Sequence, residues 1–157
     1  MTGALRDLRR KSRERRHQPM KRVVQQTGTS CGVACVAMLA RLSYREAFKT
    51  GLALWDEEHW AGTHRTDAAE LRKMLAALGW RLGRRVNCTD WRKVPPGALV
   101  AVQWNEPKNQ WHWVVSSADA AGPFFFDPRK TVKATRRRDF TKAPPSWYHR
   151  VTPLDRR

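Results

Sequence analysis

A cysteine at the start of a helix, a histidine in a strand and an aspartate at a strand end carry the reactive potential of this chain. Cys31 lies within residues 23–42, VVQQTGTSCGVACVAMLARL. Ser30 reads as an N-cap, which makes Cys31 the first helical residue. Unpaired backbone N–H groups and the positive end of the helix dipole meet there and favour a thiolate over a thiol. Gly32 is expected to leave open space beside the sulfur. Val33, Ala34, Val36, Ala37, Met38 and Leu39 make the helix apolar nearly all round, so it should be buried. Cys35, one turn further in, reads as a small core residue, and Cys88 stands alone in a turn. No second close pair of cysteines or histidines completes a zinc set, so no metal or other cofactor is expected.

His112 sits in residues 111–117, WHWVVSS, a strand pattern that would fix its ring. Asp127 closes the next strand just before Pro128, which stops the ladder. Adjacent antiparallel strands bring a residue early in one beside a residue late in the next. Asp127 can then orient His112, and His112 can take the Cys31 proton. Gln25 or Gln26, just ahead of the cysteine turn, would add a carboxamide donor to the Cys31 N–H in an oxyanion hole. His17, His59, His64 and His149 are weaker candidates for the base. The Trp-rich stretches LALWDEEHW and QWNEPKNQWHW suggest Trp60, Trp111 and Trp113 as walls of a substrate groove.

The elements that must hold these residues follow from patterning. Ser43 and Glu46 form a capping box that opens a helix over 44–50, ended by Gly51. Residues 52–64 read as a loop with an acidic patch, Asp56, Glu57 and Glu58. Residues 66–78 form an amphipathic helix on Ala69, Leu71, Leu75 and Leu78, stopped by Gly79. Strands are predicted over 80–86, 98–104, 111–117 and 124–126, with a last edge strand over 147–152 and a short helical turn over 90–94. Residues 129–138 read as a basic loop or β-like segment. Helices first and strands second make an α+β domain.

Lys and Arg number 31 against 14 Asp and Glu, a net charge of +17. Such a surface attracts polyanions, whether nucleic acid, an acidic protein or an anionic membrane. Residues 1–22 read as a basic, mobile arm that could form a short helix from about Leu5 to Arg16, and residues 23–157 as the catalytic domain. The start lacks a secretory signal and no apolar run is long enough to span a bilayer, so a cytoplasmic, reducing setting is expected.

The joint pattern resembles the papain-like cysteine peptidases of the bacteriocin-processing, double-glycine-leader type, including their stand-alone relatives. In that family a Gln precedes the catalytic Cys by six positions, as Gln25 precedes Cys31, and the helix opens Cys-Gly-small-Ala-Cys, as in residues 31–35. Gly62-Thr63, the helix ending at Gly79, Pro96-Gly97, His112-Trp113-Val114-Val115 and Asp127-Pro128 follow in the family's order. The resemblance covers about residues 23–128. It implies a papain-like fold with the nucleophile at a buried helix N-terminus packed on a C-terminal antiparallel sheet. It further implies a Cys31 nucleophile, a His112 base, an orienting Asp127 and an oxyanion Gln25, acting on a peptide or isopeptide bond in a protein or peptide substrate. The missing transporter domain and the basic arm depart from the family and leave the substrate open. Two other classes remain: a basic scaffold that binds nucleic acid or an acidic protein, and a related transglutaminase or deamidase.

Overall fold

The computed structural model describes residues 1–55, 57–60 and 65–154, without the side chains of Glu57 and His59. The helices come first: α1 (Gly3–Glu14), α2 (Cys31–Ala40), α3 (Tyr44–Leu54), α4 (Glu57–Trp60) and α5 (Ala68–Ala77). Five strands follow: β1 (Trp80–Asn87), β2 (Leu99–Asn105), β3 (Gln110–Asp119), β4 (Gly122–Phe126) and β5 (Pro145–Pro153). They form one antiparallel sheet in the order β1-β5-β2-β3-β4. The architecture is α+β, as the sequence predicts, with β2, β3 and β4 a meander.

The sheet has two apolar faces. Leu99, Ala101, Trp113 and Val115 pack with α2 and α5 into the main core. Val100, Val102, Val114 and Phe125 form a second cluster on the other face, under Trp91, Phe140 and Tyr148. This alternation is the period of a strand covered on both sides. Helix α2 is buried along its length from Gly32 to Ala40 and leans on β3, so its N-terminus is set against the sheet.

Several elements differ from expectation. Helix α3 runs through Gly51 to Leu54, because Gly51 is a contact point and not a stop. A Cβ there would run into the Trp60 indole. Part of the predicted loop is therefore helix, while Asp56 and the stretch containing Gly62, Thr63 and His64 lie outside the described residues. The last strand is not an edge strand: β5 inserts between β1 and β2 and buries Trp147, Tyr148 and His149. Helix α5 opens at Ala68, with Asp67 and Glu70 closing a capping box. It ends before Gly79, which adopts φ +90°, as a glycine stop should.

Residues 1–22 are not held apart from the domain. Helix α1 buries Leu5, Leu8 and Ser12, spaced along one face, and leaves most of its arginines at the surface. The Ser12 hydroxyl donates to the Ala40 carbonyl at 2.7 Å and accepts from the Trp80 indole N–H at 2.8 Å. Arg15 and Lys11 pair with Glu46 of α3. The sequence reading missed this because two leucines and one serine are a weak stripe until a partner surface is known. Among the described residues no helix is long and apolar enough to cross a membrane.

Candidate active site

Cys31 is the first residue of α2, as its position after Ser30 implies. Ser30 itself does not cap the helix with its side chain. Its hydroxyl turns back to residue 27, accepting from the Thr27 N–H at 3.0 Å and donating to the Thr27 carbonyl at 3.2 Å. The first N–H groups of the helix stay free of a side-chain cap, and the Gly32 N–H is directed to the Cys31 sulfur. Nor does Gly32 leave open space. A Cβ there would fall well inside 3.0 Å of the Thr66 hydroxyl, so the glycine admits the residue that precedes α5. Cys31 is half-buried, and the Trp113 backbone N–H of β3 also points at its sulfur.

His112 and Asp127 meet as the strand logic predicts. The β3–β4 register pairs Val115 with Phe126. One step further sets Asp127 opposite Val114, so His112, two residues back on the same face, is its diagonal neighbour. The His112 Nε2 lies 2.8 Å from Asp127 Oδ1. Nδ1 is then the nitrogen left for Cys31, with which His112 also hydrogen-bonds. Asp127 is almost fully enclosed, at 1 % exposure, and both of its oxygens accept further hydrogen bonds or ion pairs beside that of His112. Oδ1 accepts from the Arg129 N–H at 3.0 Å, and Oδ2 from Arg137 Nη1 at 2.7 Å.

The electrostatics follow from these contacts. Burial pushes the Cys31 thiol up. The hydrogen bond and charge of His112, helped by the Trp113 and Gly32 N–H groups, overcome it, and the thiol is held below its ordinary value. Burial pushes His112 down, but Asp127 and Cys31 raise it above the usual imidazole value. Burial also works against ionised Asp127, and is overcome by His112, the Arg129 N–H and Arg137, which hold it well below the carboxylate range. Cys35 is the contrast: fully buried, with Cys31 and Asp127 nearby, its thiol is pushed well up.

Gln25 is buried against the same loop. Its backbone N–H donates to the Pro128 carbonyl at 2.8 Å, and its side-chain amide donates to the Thr27 carbonyl at 2.8 Å. The side-chain oxygen has no partner among the described residues. Gln26, the alternative, is exposed.

A cleft of about 580 Å³ opens in front of Cys31 and His112. Gly28, Thr29 and Thr66 form one wall, with Asp67 and Glu70 at the start of α5. Gln103, Asn109, Trp111 and Arg129 form the other. Half-buried Trp111 therefore lines the cleft, whereas Trp113, which borders it, is 2 % exposed with its side chain in the main core. The two rings meet edge to face at 5.7 Å, and the Trp113 indole N–H donates to the Thr66 carbonyl at 3.2 Å. Trp60 does not line it. It is 2 % exposed and packed on Trp55 and Phe48 with ring centroids 5.4 and 5.6 Å away. An indole in a loop and an indole in the core are indistinguishable by sequence until the loop proves to be helical.

Of the other histidines, His149 is buried in β5 with Nδ1 2.9 Å from the Gly83 carbonyl, and burial lowers its pKa. His17 is exposed after the end of α1, and the side chain of His59 and all of His64 lie outside the described residues. No group of three or more His, Cys, Asp or Glu among the described residues is placed to hold a metal ion.

Sequence reasoning missed the arginines that frame Asp127. Arg22 donates to the carbonyls of Asp127, Arg129 and Val132 at 2.7, 2.7 and 2.8 Å, tying down the loop after β4. Arg129 donates to the Gln103 side-chain oxygen at 2.7 Å and so links that loop to the irregular end of β2, where Gln103 adopts φ +56°. In sequence these residues belong to basic runs with no feature that separates them from solvated charge.

No family model matches the chain, and no curated protein matches it. Among solved structures it is similar to a double glycine motif protease from an AMS/PCAT transporter, crystallised in complex with the leader peptide. The TM-score is 0.53 at 15 % identity, over 87 % of this chain and 96 % of that one. Helices packed on a five-stranded antiparallel sheet match that neighbour, and the fold of this chain is papain-like.

Proposed function

We propose that this chain is a thiol-dependent peptidase that hydrolyses a peptide or isopeptide bond in a protein or peptide substrate. The observation that carries the reading is the contact chain from Cys31 through His112 to Asp127, at the mouth of the cleft. A thiol lowered beside an imidazole raised is the direction that favours a thiolate–imidazolium pair over the neutral pair. The crystallised neighbour's complex with a leader peptide supports a peptide as the ligand of the cleft.

In this reading the Cys31 thiolate attacks the carbonyl carbon. The Cys31 N–H and the second N–H of the Gln25 amide, the first being engaged by Thr27, take up the charge developing on oxygen. His112 gives its Nδ1 proton to the leaving amine as the C–N bond breaks, leaving a thioester. The now neutral imidazole takes a proton from water, whose oxygen attacks the thioester. The C–S bond then breaks, the acid leaves and the ion pair is restored. Asp127 keeps Nε2 protonated and the ring in place throughout.

The test is alkylation by iodoacetamide as a function of pH, mapped to Cys31, Cys35 and Cys88. Cys31 is expected to react fast below the ordinary thiol range, because its depressed pKa keeps it ionised there, and to lose this advantage in His112→Ala. Cys35 is expected to stay unreacted while the protein is folded. Equal rates for Cys31 and Cys88, unchanged by His112→Ala, would overturn the reading.

A further inference from the structure

We propose that Arg137 is a positioning residue of this site, which holds the outer oxygen of Asp127 and offsets its charge so that His112 can give up its proton. The inference rests on the peptidase reading of Cys31 and His112 and adds a fourth member to their contact chain. Arg137 lies ten residues beyond Asp127, in a segment that returns to the sheet and pairs through both backbone groups with Phe125. That pairing sets the guanidinium over the Phe125 ring, 4.9 Å from its centroid, and leaves it only 11 % exposed. One side of the fork reaches Asp127 Oδ2 at 2.7 Å. The other donates to Asp139, at 2.9 Å from Nε and 2.8 Å from Nη2. The planar fork is thus held on both flanks and by its face, an arrangement that an ammonium group cannot reproduce.

A carboxylate buried beside an imidazole and nothing else would bind the imidazolium tightly and make it a poor acid. Arg137 shares that carboxylate. His112 meets Oδ1, Arg137 meets Oδ2, and the two cations face each other across one anion. The guanidinium therefore lowers the affinity of His112 for its proton while fixing the rotation of the carboxylate. Asp127 also stays ionised without help from solvent, which its near-complete burial denies it. The other groups around His112 are Cys31 on α2 with Cys35 behind it, Arg129 on the loop after β4, and Arg65, Asp67 and Glu70 across the cleft. Substitution of Arg137 leaves all of these in place.

The experiment follows the His112 imidazole by NMR through a pH titration of the full-length chain, in the wild type and in Arg137→Met, Arg137→Gln and Arg137→Lys. Removal of the charge in the Met and Gln variants is expected to move the His112 midpoint to higher pH by about one pH unit. Arg137→Lys, which keeps the charge, is expected to return it close to the wild-type position. Arg137→Gln retains a donor for Oδ2, so its contrast with Arg137→Lys carries the test if Arg137→Met does not fold. A midpoint unmoved, or moved downward, in both uncharged variants would overturn the proposal. Alkylation of Cys31 in the same samples separates the two claims. If wild-type Cys31 has no acid-shifted reactivity that depends on His112, the peptidase reading itself fails. If it has that reactivity and the midpoint does not move, the role of Arg137 alone is refuted.

Discussion

Replacing Gly32 by alanine sets two physical effects against each other. Helix propensity favours the change, since glycine is worse than alanine in a helix by about 0.5–1 kcal/mol. Packing opposes it. The added Cβ would come more than an ångström inside the 3.0 Å that separates even the tightest real contacts from the Thr66 hydroxyl, with Leu71 Cδ2 at 3.1 Å and Thr66 Cβ at 3.3 Å behind it. Neither α2 nor the segment before α5 can move away without disturbing the core, so the strain should cost about 1–3 kcal/mol, as overpacking usually does. The expected net result is destabilisation by about 1–2 kcal/mol, or roughly 2–8 °C in Tm for a domain of this size. The Thr66 hydroxyl has no partner among the described residues, so Thr66→Ala alone should be close to neutral. In the double variant the nearest remaining neighbour is the flexible end of Leu71, and most of the lost stability should return. Urea unfolding of the four proteins measures this as a coupling energy of about 1–2 kcal/mol. Because the strain falls on the residue after the nucleophile, Cys31 alkylation should slow in the single variant and recover in the double. A Gly32→Ala protein as stable as the wild type, or a loss that Thr66→Ala does not relieve, would refute the claim that the glycine is there to admit Thr66.

Two other substitutions test the placement of elements. Ser12→Ala removes the partner of both the Ala40 carbonyl and the Trp80 indole N–H in a buried setting, and should lower stability by about 1–3 kcal/mol in chemical unfolding. A change within experimental error would mean that α1 does not dock in solution as described. The two tryptophans should separate by function: Trp60→Ala, in the core, is expected to cost about 3–5 kcal/mol of stability. Trp111→Ala, in the cleft wall, should leave the urea midpoint nearly unchanged and weaken binding of an active-site peptide aldehyde, read by titration.

The order of helices and strands was legible because its signals are local. The capping box at Ser43, the Gly79 stop and the apolar runs of β2, β3 and β4 each act over a few residues, and most boundaries follow them closely. The failures were of a different kind. Gly51 carries the same signal as Gly79, yet it sits inside a helix because Trp60 needs the space of its missing side chain. The strand after residue 145 looked peripheral because it comes last in the chain, and only its pairing with both β1 and β2 makes it central.

The candidate site divides in the same way. Cys31, His112 and Asp127 in order, after a glutamine at 25 or 26 and with a helix start at Cys31 and a strand around His112, stand in the sequence itself. They do so because a helix N-terminus and a strand alternation are short-range properties that a spacing can encode. What the sequence did not determine is what surrounds them. Arg22 reaches carbonyls more than a hundred residues away, Arg137 reaches back across a returning segment to Asp127, and Thr66 fills the space that Gly32 vacates. An arginine in a basic run looks the same whether water or a buried carboxylate receives it. Only the folding of distant segments onto one another, which removes the water, decides which of them it is.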